Sequence, residues 1–230
     1  MTDDFARYAR NMNAFSREDV QAVRSKSVCI VGCGGLGGYV AMSLARFGVG
    51  KLILVDNDVF DISNLNRQLF CTETNLGKSK ALEAQAALSL VNSDVEIIAY
   101  TELLTRSNGV RILAGCDAAV DCLDTVRSRL TLEECCEAAG VPFVHGAIGG
   151  FYGQVCSVFP GDGVMAKLYG GNEDKTPNTQ SGNPSFTAQL VAALQCGETI
   201  KLLTGKGALL RPKLLLTDLL HNQFQTIYIA

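Results

Sequence analysis

The sequence predicts an α/β fold: a Rossmann-like, mostly parallel sheet with helices on both faces, continued by an antiparallel C-terminal part. Three observations predict it. Short continuous apolar runs alternate with amphipathic stretches through the N-terminal part, as βαβ units require. A glycine-rich turn, Gly32-Cys33-Gly34-Gly35-Leu36-Gly37-Gly38, separates the first such run from the first helical stretch. After Ile148 the continuous runs give way to alternating ones, as expected of strands with one solvated face.

In chain order, Phe5–Lys26 reads as an N-terminal helical arm (residues 1–26), with Ser16 placed three residues before Asp19 to cap a helix. Ser27–Val31 (SVCIV) is a buried strand, followed by the glycine turn and a helix from Leu36 to Phe47 that stops at Gly48. Lys51–Val55 (KLILV) is a second strand ending in Asp56-Asn57-Asp58. Lys78–Val91, rich in Ala and Leu, is a helix, and Val95–Ala99 a third strand. Ala118–Cys122 is a fourth strand, Val126–Ala139 a helix and Pro142–Gly146 a fifth strand. Gln154–Phe159 alternates like an antiparallel strand. Residues 169–184, dense in Gly, Asn and Pro, are expected to form a long mobile loop. Ser185–Leu203 is helical, and Lys213–Thr217 with Phe224–Ile229 forms a closing strand pair. Residues 27–230 therefore read as one domain, its parallel βαβ half about 27–148.

Composition narrows the function. The chain has 230 residues, 47% of them hydrophobic and 19% charged, enough for a core that needs no disulfide or metal staple. Lys and Arg number 20 against 23 Asp and Glu, a formal charge of −3. General nucleic-acid binding, which needs a basic face, is thereby disfavoured. No apolar run reaches the ~18–20 residues of a membrane span, and Met1–Arg10 is too polar for a signal peptide. Nine cysteines, with no CxxC pair and several inside strand-like runs, read as free thiols of a cytoplasmic protein.

Gly32-x-Gly34-x-x-Gly37 lets the backbone turn tightly and approach a phosphate at a helix N-terminus. Asp56, after the next strand, stands where a ribose hydroxyl is gripped. Dehydrogenases, methyltransferases and nucleotidyl-transferring enzymes share this pattern, and a structural tight turn is the plain alternative. The segment Asp56–Gln68 (DNDVFDISNLNRQ) discriminates, being too polar for another core element. Asn64, Arg67 and Gln68 have no obvious use in an NAD site, whereas the charges of ATP need donors. Arg67 can form paired charge-assisted bonds to phosphate; its alternative is a surface arginine. Lys80 adds a second cation, while Lys78 reads as a solvated helix residue. Asp124, just past the fourth strand, would repel a polyphosphate unless a cation intervenes, and so implies Mg²⁺. Asp121 reads as the structural member of that pair.

Together Gly32–Gly38 (GCGGLGG), Asp56–Gln68, Gly77–Lys80 (GKSK) and Asp121–Arg129 (DCLDTVRSR) resemble the ThiF/MoeB family, the prokaryotic branch of the ubiquitin-activating-enzyme superfamily. The likeness extends through Arg7–Arg10 (RYAR), Gly146–Val158 and Leu194–Gly205, and so covers most of the chain in order. The resemblance implies that the protein uses ATP to adenylate the C-terminal Gly-Gly carboxylate of a small ubiquitin-like sulfur-carrier protein, releasing pyrophosphate. It implies that Gly32, Gly34, Gly35 and Gly37 with Asp56, Asp58 and Gln68 surround the nucleotide. Asn64, Arg67 and Lys80 would hold the phosphates and Asp124 the Mg²⁺. Arg10 would reach the triphosphate from the other subunit of a homodimer, and residues 149–230 would form the carrier-binding half. No general base is needed, since a carboxylate is already ionised at neutral pH. His145 accordingly reads as a packing or hydrogen-bonding residue.

Two family features are missing. The paired CxxC motifs that hold structural zinc are absent, so no zinc site is expected. No cysteine lies between Cys156 and Cys196, and Asn178 aligns near the position of the crossover-loop cysteine. Cys196 reads as core, so the reaction is expected to stop at the acyl-adenylate, with sulfur from a separate donor, for thiamine, molybdopterin, cysteine or a related product. The alternatives are a tRNA threonylcarbamoyladenosine dehydratase-like enzyme, an NAD(P)-dependent oxidoreductase, and a non-catalytic binder of a ubiquitin-like partner.

Overall fold

The computed structural model describes residues 5–170 and 181–229. Eight strands form one sheet in the order β3-β2-β1-β4-β5-β6-β7-β8. The parallel half is β1 (Ser27–Val31), β2 (Lys51–Val55), β3 (Glu96–Tyr100), β4 (Ala118–Asp121) and β5 (Phe143–Gly149). β6 (Tyr152–Val158), β7 (Lys213–Asp218) and β8 (Gln223–Tyr228) continue it antiparallel. The helices are α1 (Arg17–Arg24), α2 (Gly37–Phe47), α3 (Lys80–Ser89), α4 (Gly109–Leu113), α5 (Val126–Ala139), α6 (Val164–Tyr169) and α7 (Ser185–Thr204).

The continuous apolar runs have a direct cause. Along β1, Val28 and Ile30 enter one core cluster while Cys29 and Val31 enter the other. Leu52 and Leu54 of β2 part from Ile53 and Val55 in the same way. Side chains alternate across a strand, so a strand covered on both faces must be apolar at every position. α2, α3 and α7 contribute to the first cluster, and α4, α5 and α6 to the second. At the far edge the cover ends: all of β8 is exposed.

Helix ends follow local chemistry. Ser16 and Asp19 form a reciprocal capping box, at 3.1 and 2.7 Å, a device that stabilises a helix by about 1 kcal/mol. α2 stops at Gly48, whose φ of 95° only glycine adopts readily.

The structure corrects several boundaries. The N-terminal arm is not one helix: a 3₁₀ turn at Ala6–Asn11 is parted from α1 by Asn13, whose φ of 79° no helix continues. α3 begins at Lys80 rather than Lys78, because Ser79 bridges to Val59 and caps the helix. β5 runs on to Gly149 through its pairing with β6. α4 and α6 are helices that sequence periodicity did not indicate. Of the expected loop 169–184, residues 171–180, and with them Asn178, lie outside the described residues.

β1 leads to β2 on one side and β4 lies on the other, so strand order reverses between β1 and β4. Ligands of open α/β sheets bind outside the strand ends at such a reversal. The glycine turn, Asp56 and Asp124 all follow strands that end there.

Candidate active site

A cavity of about 550 Å³ occupies this crevice. Gly32, Gly34, Gly35, Asp56, Asp58, Arg67, Gln68, Lys80 and Asp124 line it; Gly37, Asn64 and Arg10 do not.

The glycine turn is shaped by close approach. At Gly32, φ is 97° and a Cβ would lie 2.5 Å from the Cys122 carbonyl oxygen. Gly37 is buried in the first turn of α2, where a Cβ would fall 1.7 Å from the Gly32 carbonyl oxygen. Its place is packing the helix against the turn. Asp56 fastens the turn to β2: its two oxygens accept the Cys33 N–H at 2.6 Å and the Asp58 N–H at 2.8 Å. A carboxylate has about four lone-pair sites, so capacity for ligand hydroxyls remains. Burial pushes the Asp56 carboxyl above its ordinary pKa, opposed by those two N–H bonds and by Lys80.

The polar segment folds back over the turn. The Arg67 stem lies across Gly35 and the Gln68 amide against Gly34, 3.6 and 3.4 Å from where Cβ atoms would stand. Arg67 Nη1 donates to Ser63 O and Asn66 Oδ1, at 3.0 and 2.9 Å. Both bonds come from Nη1, leaving the Nε–Nη2 edge for a bidentate anion. Gln68 Oε1 is buried without a hydrogen-bond partner among the described residues. Lys80 is buried except for 7% of its surface, its Nζ 3.0 Å from Asp58 Oδ2. Asp58, expected beside the nucleotide, is thus also the counterion of Lys80.

Asn64 is turned away from the cleft. It is buried, and its Oδ1 accepts the Asp61 N–H at 3.1 Å while Asp61 accepts the Ser63 N–H at 2.9 Å. A buried amide without such partners would be costly, and here it closes its own 3₁₀ turn (Ile62–Asn64). Arg10 is exposed in the N-terminal 3₁₀ turn, outside its own chain's cleft. Asp124 is exposed on the cleft wall and makes no hydrogen bond or ion pair among the described residues. One partnerless carboxylate in a polar cleft suits Mg²⁺, which takes one or two protein carboxylates beside phosphate and water. The described residues hold no group of three or more His, Cys, Asp or Glu able to bind a metal.

Beneath the cleft floor Asp121, read from the sequence as a structural carboxylate, and His145, read as a packing or hydrogen-bonding residue, join Arg129, Gln154 and Tyr169 in one network. Asp121 is fully buried, and its Oδ2 accepts from His145 Nδ1 at 2.6 Å. His145 Nε2 meets Gln154 Nε2 at 3.0 Å and Tyr169 Oη at 3.2 Å, which fits a neutral ring accepting there. Arg129, 4% exposed, donates to Tyr169 Oη at 2.9 Å and to Leu123 O at 2.7 Å. Its Nε is 3.6 Å from Asp121 Oδ2. His145 lines neither this cavity nor a second one of about 430 Å³ bounded by β5, β6 and β7, whereas Arg129 and Ile148 line both.

Burial pushes the His145 pKa below its ordinary 6.5, against the pull of Asp121. Below pH 6.5 the unfolded chain gains a proton that the folded chain refuses, so stability falls as pH drops. The slope from this one group is at most about 1.4 kcal/mol per pH unit. Urea unfolding between pH 7 and pH 5 should show that fall, and it should be shallower in His145→Gln. Equal slopes contradict the assignment.

All nine cysteines are free thiols, and seven of them are buried. Cys196 is half-buried on α7, donates to the Val40 carbonyl oxygen at 3.8 Å, and is pushed up to about 12 by burial. That thiol is a packing group rather than a nucleophile at neutral pH. Among the described residues no helix is long and apolar enough to cross a membrane.

Comparison with known proteins identifies the family and the fold. The ThiF family model matches residues 8–230. The adenylyltransferase and sulfurtransferase MOCS3 of Arabidopsis thaliana is 33% identical, over 99% of this chain and 50% of that protein. The SAMP-activating enzyme E1 of Haloferax volcanii is also 33% identical, over 96% of this chain and 84% of that one. The chain therefore spans about half the length of the MOCS3 relative. Among solved structures, PaaA has a TM-score of 0.82 at 18% identity, covering 100% of this chain and 84% of that one. E. coli MccB, solved with ATP, has a TM-score of 0.82 at 20% identity, covering 100% of this chain and 72% of that one. These likenesses establish the shared fold.

Proposed function

We propose, since the chain belongs to the ThiF family, that it is an ATP-dependent adenylyltransferase activating the C-terminal Gly-Gly carboxylate of a small ubiquitin-like sulfur-carrier protein. One observation carries this reading. A glycine turn, two cations at Arg67 and Lys80, and the carboxylate of Asp124, without a partner among the described residues, meet in one strand-end crevice. The names of the MOCS3 and SAMP-activating relatives point the same way.

The chemistry follows from charge. A carboxylate oxygen of the carrier bonds to the α-phosphorus of ATP, the bond from that phosphorus to the bridging oxygen breaks, and pyrophosphate leaves with the electron pair. Two anions must meet, so repulsion and alignment dominate the barrier. Arg67 and Lys80 offset the phosphate charge, and the N-terminus of α2 adds its partial positive charge. Asp56 accepts from the ribose hydroxyls, and Gln68 lines the same cleft beside the glycine turn. Mg²⁺ held by Asp124 would supply phosphate neutralisation. Residues 27–148 form the nucleotide half and residues 149–230 the carrier half, whose cavity beside the cleft admits the carrier tail. Sulfur comes from a separate donor, and the carrier serves thiamine, molybdopterin or a related product.

Exchange of labelled pyrophosphate into ATP tests the reading: it should require a carrier ending in Gly-Gly. Exchange supported only by modified tRNA, or oxidation of NAD(P)H instead, contradicts it.

The working unit is a homodimer whose Arg10 completes the partner's site. Val59, Ile62, Leu65 and Leu69 expose large apolar side chains along the segment that carries Arg67, as a contact surface does. Arg10→Ala and Arg67→Ala should each lower exchange at least about tenfold, the cost of one charge-assisted contact. Mixing the two variants should restore part of the activity; mixtures no better than their components count against a shared site.

A further inference from the structure

We infer that Arg129 is a carboxylate-binding residue: at the junction of the two cavities it receives the terminal carboxylate of the acyl substrate and aims it into the nucleotide cleft. This rests on the adenylyltransferase reading and deepens it. Arg129 and Ile148 are shared by the cleft and the 430 Å³ cavity, and Arg129 is the one Lys or Arg among the described residues lining that second cavity. An acid that enters through the antiparallel half meets this positive charge before it reaches the cleft.

The guanidinium has donors to spare. Of its five N–H groups, Nη1 serves Tyr169 Oη and Nη2 serves Leu123 O, one bond each. Nε is enclosed on the Asp121 side and makes no hydrogen bond among the described residues, so the donors to spare are the second N–H of Nη1 and of Nη2. Asp121 balances the charge at 3.6 Å, yet its oxygens are already committed to the Leu123 N–H and to His145. Each Nη keeps one N–H beyond its bond to protein, and at the wall of two cavities a ligand can take up that pair. A carboxylate accepts from a guanidinium fork with matching geometry.

The group is also held rigidly. Tyr169 is fixed by Gln154 Nε2 at 2.9 Å and by His145, so the fork cannot swing to follow a misplaced substrate. Asp124 and Ser128, on the same short segment, line the cleft beside it. Arg129 therefore delivers the acid to the side of the cleft where Asp124 stands.

The test compares two synthetic decapeptides ending in Gly-Gly, one a free acid and one a carboxamide, by calorimetric titration of the full chain. The unaltered protein should bind the acid roughly 10- to 100-fold more tightly, the worth of a charge-assisted pair. Arg129→Lys should reduce that ratio severalfold. Removing Arg129 alone strands the Asp121 charge, so Arg129→Met combined with Asp121→Asn keeps the variant foldable; there the ratio should fall to near one while affinity for an ATP analogue persists. An undiminished acid preference in that double variant overturns the inference, as does equal binding of the two peptides by the unaltered protein. Loss of carrier-dependent exchange in the unaltered protein overturns instead the reading on which it rests.

Discussion

Asp124→Asn should lower carrier-dependent pyrophosphate exchange by about 10³-fold, within the range seen when an electrostatic group aimed at the reacting charge is removed. Asparagine keeps the shape of the side chain and loses the charge that would hold Mg²⁺. Asp124 is exposed and unbonded among the described residues, so folding stability should change by no more than about 0.5 kcal/mol. Activity and stability thus separate. Exchange kinetics with a parallel urea melt check both. A variant with exchange near that of the unaltered protein would remove Asp124 from the reaction.

Gly37→Ala should cause a large effect of the opposite kind, a loss of about 3 kcal/mol or more of stability. The added methyl group would stand 1.7 Å from the Gly32 carbonyl oxygen. That contact is with backbone, so α2 and the glycine turn must move apart, and both pack on β1 and Cys122. Core strain of this kind lies at the severe end of single substitutions. Gly34→Ala is the control: the atoms nearest its methyl would be those of the Gln68 side-chain amide, from 3.4 Å outward. That variant should fold with a change under about 1 kcal/mol and bind ATP more weakly, because the methyl narrows the wall against which phosphate would lie. If Gly37→Ala melts with the unaltered protein, the account of the turn fails.

Much of the fold was legible for a simple reason. β1 and β2 have the bounds read from SVCIV and KLILV, because burial on both faces leaves a run of apolar residues with polar ones at its ends. α5 has the bounds read for it, Val126–Ala139, and the structure shows Thr125 capping its start and Gly140 ending it. α4 spans only Gly109–Leu113, too few residues for a period to show, and it exists because Gly109 packs against Cys135. Asn13 breaks the arm through its backbone angle alone, which neighbouring residue types do not announce.

The candidate site divides along the same line. The glycine turn, Asp56 and Asp124 follow strand ends that the βαβ order brings together, and Arg67 and Lys80 belong to the polar segment and the helix that come after β2, so residue type and position sufficed to single them out. Asn64 stands in the same segment, but whether its amide faces ligand or its own turn depends on the 3₁₀ conformation. Arg129 was legible as part of a matching segment and not as a participant. Its burial depends on Tyr169, 40 residues further on, and on strands β4, β5 and β6 meeting beneath it. An arginine in an amphipathic helix looks like a solvated residue until the fold encloses it.

Transfer of label from ATP marked at the α-phosphorus tests the central claim most directly. Incubated with a carrier protein ending in Gly-Gly and freed of pyrophosphate by a pyrophosphatase, the protein should place the label on the carrier as an acyl-adenylate, one per carrier terminus. The carrier should gain the mass of one adenylate by mass spectrometry. Label that stays with free nucleotide while ATP is consumed, or a carrier whose mass is unchanged, would contradict the account.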